Sequence, residues 1–183
     1  MEISIHTIVR KKFHSGFTRK FGDVNEVVIH GTGGGGTLEW VRSGGRADQY
    51  YRGVALFHYL IERDGKITEV IDHERWVYHS STGKHDRHTI GIELVNTSPS
   101  NASGYTEKQY RSLFWLIFVF LMKRHPISVI VSHKRAMEKA SKGRWSKNCP
   151  GNFDWRELEK YMMNKGVQFD HDRRYESYWA IKS

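Results

Sequence analysis

The sequence predicts an α/β domain, a central mixed β-sheet flanked by helices. Three short β-rich runs carry that reading: Val24 to His30 (VNEVVIH), Thr89 to Val95 (TIGIELV) and Ile127 to Ser132 (ISVIVS). Helical patterns lie between and after them, so strands and helices alternate along the chain. One domain is expected, since 183 residues fit an ordinary single fold and no Ser/Gly linker divides them. Its boundaries are read as residues 24–165, with an N-terminal extension over 1–23 and a C-terminal extension over 166–183. The tail from Gln168 to Ser183, with Arg173, Arg174, Tyr175, Tyr178 and Trp179, reads as a small extension that contacts a partner or, in preference, as a segment whose aromatics pack back on the domain.

The first of these strands ends in His30 and opens into Gly31-Thr32-Gly33-Gly34-Gly35-Gly36, a loop with little side-chain bulk. A short helical stretch is expected over Thr37 to Val41, and Gly44 to Gly53 reads as a mobile loop. Phe57 to Arg63 and Lys66 to Ile71 form a hairpin around Asp64-Gly65, a pair that suits a type I′ turn with positive φ at both central residues. Thr106 with Gln109 three residues on is a capping-box pattern. Tyr110, Leu113, Phe114, Ile117, Phe118 and Leu121 follow at helical spacing and point that helix into the core. The apolar run Leu113 to Met122 falls short of the roughly 20 residues a bilayer span needs, so it reads as buried helix. Asp154 with Glu157 opens a last amphipathic helix running to about Met163.

Composition narrows the function classes. Hydrophobic residues at 38% exclude a disordered chain. The balance of 29 Lys+Arg against 20 Asp+Glu, a net +9, favours a polyanionic partner. Nucleic acid and a phosphate-bearing bacterial wall both qualify, and charge does not choose between them. Met1 to Lys20 lacks the continuous apolar stretch of a secretory signal, so synthesis in the cytoplasm is expected. Cys149 is the lone cysteine, which rules out a disulfide within the chain.

His30 and His133 each close a predicted strand, and strand ends are where sites gather in open α/β sheets. Either histidine alone is more often structural than a ligand. Cys149 can join them: it sits in Ser146-Lys147-Asn148-Cys149-Pro150-Gly151, a polar turn rather than an apolar strand. Two neutral imidazoles and a thiolate make a soft tetrahedral set that suits zinc and leaves a fourth position for water. By spacing alone the grouping is weak, because His30 lies far from the other two. Glu93 shares a strand face with Gly91 and Val95, away from apolar Ile92 and Leu94. A proton carrier and an exposed strand carboxylate fit that pattern equally. Lys147 lies two residues before Cys149 and points the same way if the segment is extended; in so basic a chain a solvated lysine is the ordinary reading. His58 reads as a hydrogen-bonded core histidine, and His85 and His88 as loop residues.

Val28-Ile29-His30-Gly31-Thr32, His58-Tyr59-Leu60-Ile61, Arg63-Asp64-Gly65, Trp76 with His79, Ile90-Gly91-Ile92-Glu93-Leu94-Val95-Asn96, Ser132-His133 and Lys147-Asn148-Cys149-Pro150-Gly151 follow one another along the chain. In that order they resemble the type 2 N-acetylmuramoyl-L-alanine amidase family, which includes T7-type phage lysozymes and animal peptidoglycan recognition proteins. Each piece alone is common; the whole set in order is specific.

The resemblance implies one zinc ion per chain, held at a sheet edge by His30, His133 and Cys149. It implies hydrolysis of the amide between the lactyl group of N-acetylmuramic acid and L-alanine. Glu93 and Lys147 would serve catalysis, and Thr32, Trp76, His79 and Asn96 would contact substrate. The partner would be bacterial peptidoglycan, with neither nucleic acid nor membrane involved and the chain acting as a monomer. One departure stands out: the catalytic tyrosine of T7-type members falls on Phe57, which has no proton to give. Tyr59 lies two residues along on the same strand face, but the chain resembles more the branch that carries a glutamate at Glu93. With no signal segment, a phage endolysin is implied, while an effector carried by a dedicated secretion machine fits equally. A non-catalytic wall-binding module is disfavoured because all three ligands are retained. A nucleic-acid-binding protein would explain the charge alone, and a zinc peptidase cutting within the stem peptide stays open.

Overall fold

Val27, Val28 and Ile29 are apolar in succession, which suits a strand covered on both faces, and all three are fully buried. The computed structural model describes residues 8–10, 17–20, 22–34, 57–80, 83–140, 147–172 and 176–182. The helical stretch expected over 37–41 and the loop expected over 44–53 lie outside them.

The strands are β1 (Ile8–Arg10), β2 (Phe17–Thr18), β3 (Glu26–Gly31), β4 (Tyr59–Ile61), β5 (Ile67–Glu69), β6 (Arg75–Trp76), β7 (Thr89–Leu94), β8 (Val129–Ser132), β9 (Phe169–His171) and β10 (Tyr178–Ile181). Helices are α1 (Gly83–Asp86), α2 (Glu107–Phe114), α3 (His133–Ala140) and α4 (Trp155–Asn164). Among the described residues an eight-stranded sheet runs β1-β5-β4-β7-β3-β8-β10-β9, and β2 pairs with β6 apart from it. β3 lies parallel to β7 and β8, and β4 parallel to β7. The β4/β5, β8/β10 and β10/β9 pairs are antiparallel, so the sheet is mixed, as the alternation of elements predicts.

Side-chain alternation divides the core. Ile29, Ile61, Ile92, Leu94 and Ile130 face Leu113, Leu116, Ile117, Leu158 and Met162 of the long helices. Leu60 packs on the other side with Phe57, Val70, Ile71 and Val77, and Val28 with Val131 and Ala136. The capping box at Thr106 and Gln109 forms as expected. After α2 the chain widens into a π-helical stretch, Trp115–Leu121, which ends with Met122 N–H donating to Ile117 O. Leu116, Ile117 and Leu121 of this stretch are buried in the core beside Leu113. Asp154 caps α4 by accepting from Arg156 N–H. No helix among the described residues is long and apolar enough to cross a membrane.

The hairpin differs from the expected turn. Gly65 has φ +89°, but Asp64 is not in the left-handed region. Gly65 N–H donates to Glu62 O and Glu62 N–H to Lys66 O. This is a type I turn over Arg63-Asp64 followed by a glycine bulge, the common three-residue connection. Asp64 Oδ1 accepts from Lys66 N–H, which fixes the loop exit.

Residues outside 24–165 supply strands to the same sheet. β1 pairs with β5, and β10 pairs with β8 next to the central strands. Trp179 is 3% exposed and stacks on Trp155 at 4.8 Å. Trp179→Ala is expected to destabilise the protein by about 3–5 kcal/mol, the usual cost of emptying a buried aromatic site. Denaturant unfolding measures it, and a loss below ~1 kcal/mol would mean that the last strands only decorate the fold.

Candidate metal centre

β7 and β8 flank β3 on opposite sides, so the C-terminal end of β3 is a switch point where the sheet edge opens a crevice. His30 is the second-last residue of β3, and Glu93 on β7 is its register partner. Ile29 pairs with Ser132, which brings His133 in immediately beyond. Ser132 Oγ accepts from Arg135 N–H at 3.0 Å, capping α3 and leaving His133 as its first residue. Cys149 arrives on the loop before α4. Its carbonyl accepts from Lys134 N–H at 2.9 Å, and its sulfur accepts from Gly31 N–H at 3.4 Å.

The ligand atoms of His30, His133 and Cys149 all lie within 4.8 Å of one another, and the two rings are 4.3 Å apart. Donors bound to one tetrahedral ion at ordinary Zn–N and Zn–S lengths sit about 3.5 Å apart, so these three residues fit a metal ion. Their charge states agree. Burial holds His30 neutral, well below the usual histidine range. Burial also takes His133 down to about 4, with the charges of Lys147 and His85 adding to it. The Cys149 thiol is pushed up to about 12, mainly by burial and further by Glu93. A cation beside it is what ionises a thiol so placed.

Glu93 stands beside the cluster. It is half-buried, yet its Oε2 is shut off from water and has no hydrogen-bond partner among the described residues. Burial raises this carboxyl to about 8, so in the metal-free protein it holds a proton at neutral pH, the state a general acid requires. Lys147 is exposed, and its charge lowers the pKa values of both His133 and Cys149.

The remaining expected site residues divide by what they touch. Thr32 and Asn96 hold each other: Asn96 N–H donates to Thr32 Oγ1 at 2.9 Å, and Thr32 Oγ1 donates to Asn96 O at 3.1 Å. Asn96 is fully buried, its amide donating to Ser103 O and accepting from Ser98 N–H, so it braces the loop rather than facing a substrate. His79 is buried behind His30, with its Nδ1 3.1 Å from His30 Nε2, instead of lying in an open groove. Trp76 is 6% exposed and stacks on Phe17 at 4.4 Å, with Tyr78 edge-on and Arg87 over its ring. None of these neighbours belongs to the metal-binding group.

Phe57 and Tyr59 do not share a face, because Phe57 precedes β4 and packs with Leu60 while Tyr59 enters the helix-covered core. The Tyr59 hydroxyl donates to Glu69 Oε1 at 3.2 Å, on the side of the sheet away from Leu60, the residue that pairs with Glu93. His58 is a buried core histidine whose Nδ1 accepts from Gly91 N–H.

Two residues at the site carry no signal in the sequence. Asn101, at φ +57°, accepts from Gly33 N–H at 2.7 Å and donates to Gly31 O at 3.2 Å, while its own carbonyl accepts from Asn152 N–H. Tyr105 donates to Pro150 O at 2.7 Å. A Cβ on Gly31 would collide with both side chains, which explains the glycine directly after the first histidine. Asn101 and Tyr105 thus tie the His30 loop to the Cys149 loop.

A three-donor metal-binding group with a proton-holding carboxylate in register beside it, at the switch point of a mixed α/β sheet, has the layout of a metal-assisted hydrolase. The family model for N-acetylmuramoyl-L-alanine amidase matches residues 20–152. The chain belongs to the N-acetylmuramoyl-L-alanine amidase family, enzymes that hydrolyse the peptidoglycan amide.

Solved structures agree in fold. N-acetylmuramoyl-L-alanine amidase LysC from Clostridium intestinale URNW is 21% identical, with a TM-score of 0.67 over 88% of this chain and 99% of that one. An endolysin of a Thermus scotoductus bacteriophage is 17% identical, with a TM-score of 0.57 over 84% and 97%. Peptidoglycan recognition protein SD of Drosophila is 15% identical, with a TM-score of 0.57 over 79% and 88%. Among curated proteins no relative matches.

Proposed function

We propose that this amidase is zinc-dependent, with His30, His133 and Cys149 as the protein ligands and Glu93 and Lys147 as the groups that move and balance charge. The observation that carries it is the convergence of the three donors within 4.8 Å beside a buried carboxyl oxygen with no hydrogen-bond partner among the described residues. Bound zinc would polarise the scissile carbonyl and acidify the attacking water. Glu93, once ionised, takes a proton from that water through Oε2 and passes it to the leaving nitrogen. The C–N bond breaks, hydroxide oxygen stays on the lactyl carbon, and L-alanine departs as a free amine. Lys147 presents its ammonium to the oxyanion that forms on the carbonyl oxygen. A cleft of about 470 Å³ beside Cys149, lined by Lys134, Glu138, Trp155 and Glu176, gives a peptide chain room to lie.

The substrate is bacterial peptidoglycan, and the reading extends to a phage endolysin that works as a monomer. Mass spectrometry of digested wall sacculi tests the bond cut. An amidase frees L-alanine amino termini and leaves glycan strands intact, whereas cleavage between stem residues would support the peptidase. Intact sacculi with bound protein would support the binding module.

The net charge of +9 adds a second expectation. If it draws the enzyme to an anionic wall, raising salt from ~0.05 to ~0.5 M should weaken binding to sacculi severalfold by screening. Hydrolysis of a small soluble muropeptide should change much less. Equal salt sensitivity on both would count against electrostatic recruitment.

A further inference from the structure

Behind His30 lies a row of buried side chains that the hydrolytic scheme does not use. His30 Nε2 is 3.1 Å from His79 Nδ1, and His79 Nε2 is 2.7 Å from Thr89 Oγ1 and 3.6 Å from Asp86 Oδ1. Asp86 is anchored in turn, accepting from Ser80 N–H at 2.9 Å and from Ser80 Oγ at 2.6 Å. His79, Ser80, Asp86 and Thr89 are all buried. β7 makes room for the row: a Cβ on Gly91 would stand 2.8 Å from His79 Cγ, so the strand carries glycine where the imidazole crosses it.

The row has one direction. A ring nitrogen that binds a metal carries no proton, and with Nε2 turned to His79 the nitrogen of His30 left for a metal is Nδ1. Neutral His30 then bears its proton on Nε2 and donates it to His79 Nδ1. His79 must carry its own proton on Nε2, where it donates to the Thr89 hydroxyl oxygen, with the Asp86 carboxylate 3.6 Å away as a charge partner. Thr89 can pass its hydroxyl proton on to the Asp86 carbonyl, 3.4 Å away. Metal-binding histidines commonly donate their other N–H to an acceptor that fixes ring and tautomer. Here the acceptor is a second histidine, itself oriented from deeper in the fold.

We propose that His79, held by Thr89 and Asp86, is a positioning residue that fixes the orientation and tautomer of His30 and so presents Nδ1 to the metal. The proposal rests on the reading of His30 as a zinc ligand.

The test is zinc affinity, by competition with a chromogenic chelator, alongside melting of the zinc-free proteins to establish that each variant is folded. His79→Ala should weaken zinc binding by about 10–100-fold, the usual worth of such a partner. His79→Asn keeps an oxygen acceptor near the Nδ1 position and should recover most of that loss. Thr89→Val keeps the shape, removes the hydroxyl and should weaken zinc in the same direction by a smaller factor. A folded His79→Ala with parental affinity overturns the proposal, as does His79→Asn binding as weakly as His79→Ala. Should His79→Ala not fold, parental affinity in Thr89→Val overturns it instead. Cys149→Ala separates the two readings. If it also keeps parental affinity, the ligand assignment has failed; if it alone loses zinc, only the positioning role has.

Discussion

Cys149→Ala loses bound zinc and hydrolytic activity together. The site has three donors within 4.8 Å of one another, and the sulfur is the one that brings negative charge. Without it two neutral imidazoles remain, a set that binds zinc weakly. The fold should survive the change. Cys149 lies on a loop, and although the Gly31 N–H bond to its sulfur is lost, the Lys134–Cys149 backbone bond and the Tyr105 bond to Pro150 remain. The measurement is zinc content after gel filtration together with muropeptide turnover, expected to fall to the level of the chelator-treated parent. A variant that keeps full zinc and full turnover would refute the ligand assignment.

Glu93→Gln leaves zinc bound and slows turnover by roughly 10²–10⁴-fold, the usual contribution of a positioned acid–base group. Glutamine keeps the size of the side chain but cannot titrate. Tyr59→Phe, which removes a hydroxyl committed to Glu69 on the other face, should leave far more activity. The reverse pattern would restore the tyrosine mechanism.

The same substitution has a signature in stability. In the zinc-free protein burial raises the Glu93 carboxyl from 4.5 to about 8. Its proton is therefore held more tightly folded than unfolded. The stabilising effect is complete below 4.5 and is lost progressively as pH rises towards 8, because over that window only the unfolded chain ionises. Zinc-free Glu93→Gln lacks this slope. Denaturant unfolding in chelator should find the variant gaining on the parent between those two pH values, and parallel curves would contradict a buried, protonated carboxyl.

Much of this site is legible in the sequence because strand periodicity is local. His30 and His133 end runs of β-branched residues, and Glu93 stands out by its place between Ile92 and Leu94. Cys149 stands out because a polar turn with proline and glycine is an unusual setting for a buried hydrophobe. What escaped depends on contacts between distant segments. Asn101 and Tyr105 reach Gly31 and Pro150 from a Ser-rich loop about 70 and 45 residues away, and nothing near them in sequence marks it. His79 reads as a groove residue because the gap that admits its ring is the missing side chain of Gly91 on another strand. The hairpin turned differently because Asp64-Gly65 suits both a type I′ turn and a type I turn with a bulge, and the extra residue Arg63 selects the second. The C-terminal strands were obscured by their partial exposure: only Trp179 of β10 is fully inside, so no alternation announces that strand.

A single titration decides whether amide hydrolysis depends on one zinc held by His30, His133 and Cys149. Chelator-treated protein is given zinc in steps while bound metal and L-alanine amino termini released from sacculi are measured on the same samples. Both should rise together and level off at about one zinc per chain. Full release of L-alanine amino termini from protein holding no zinc would contradict that dependence.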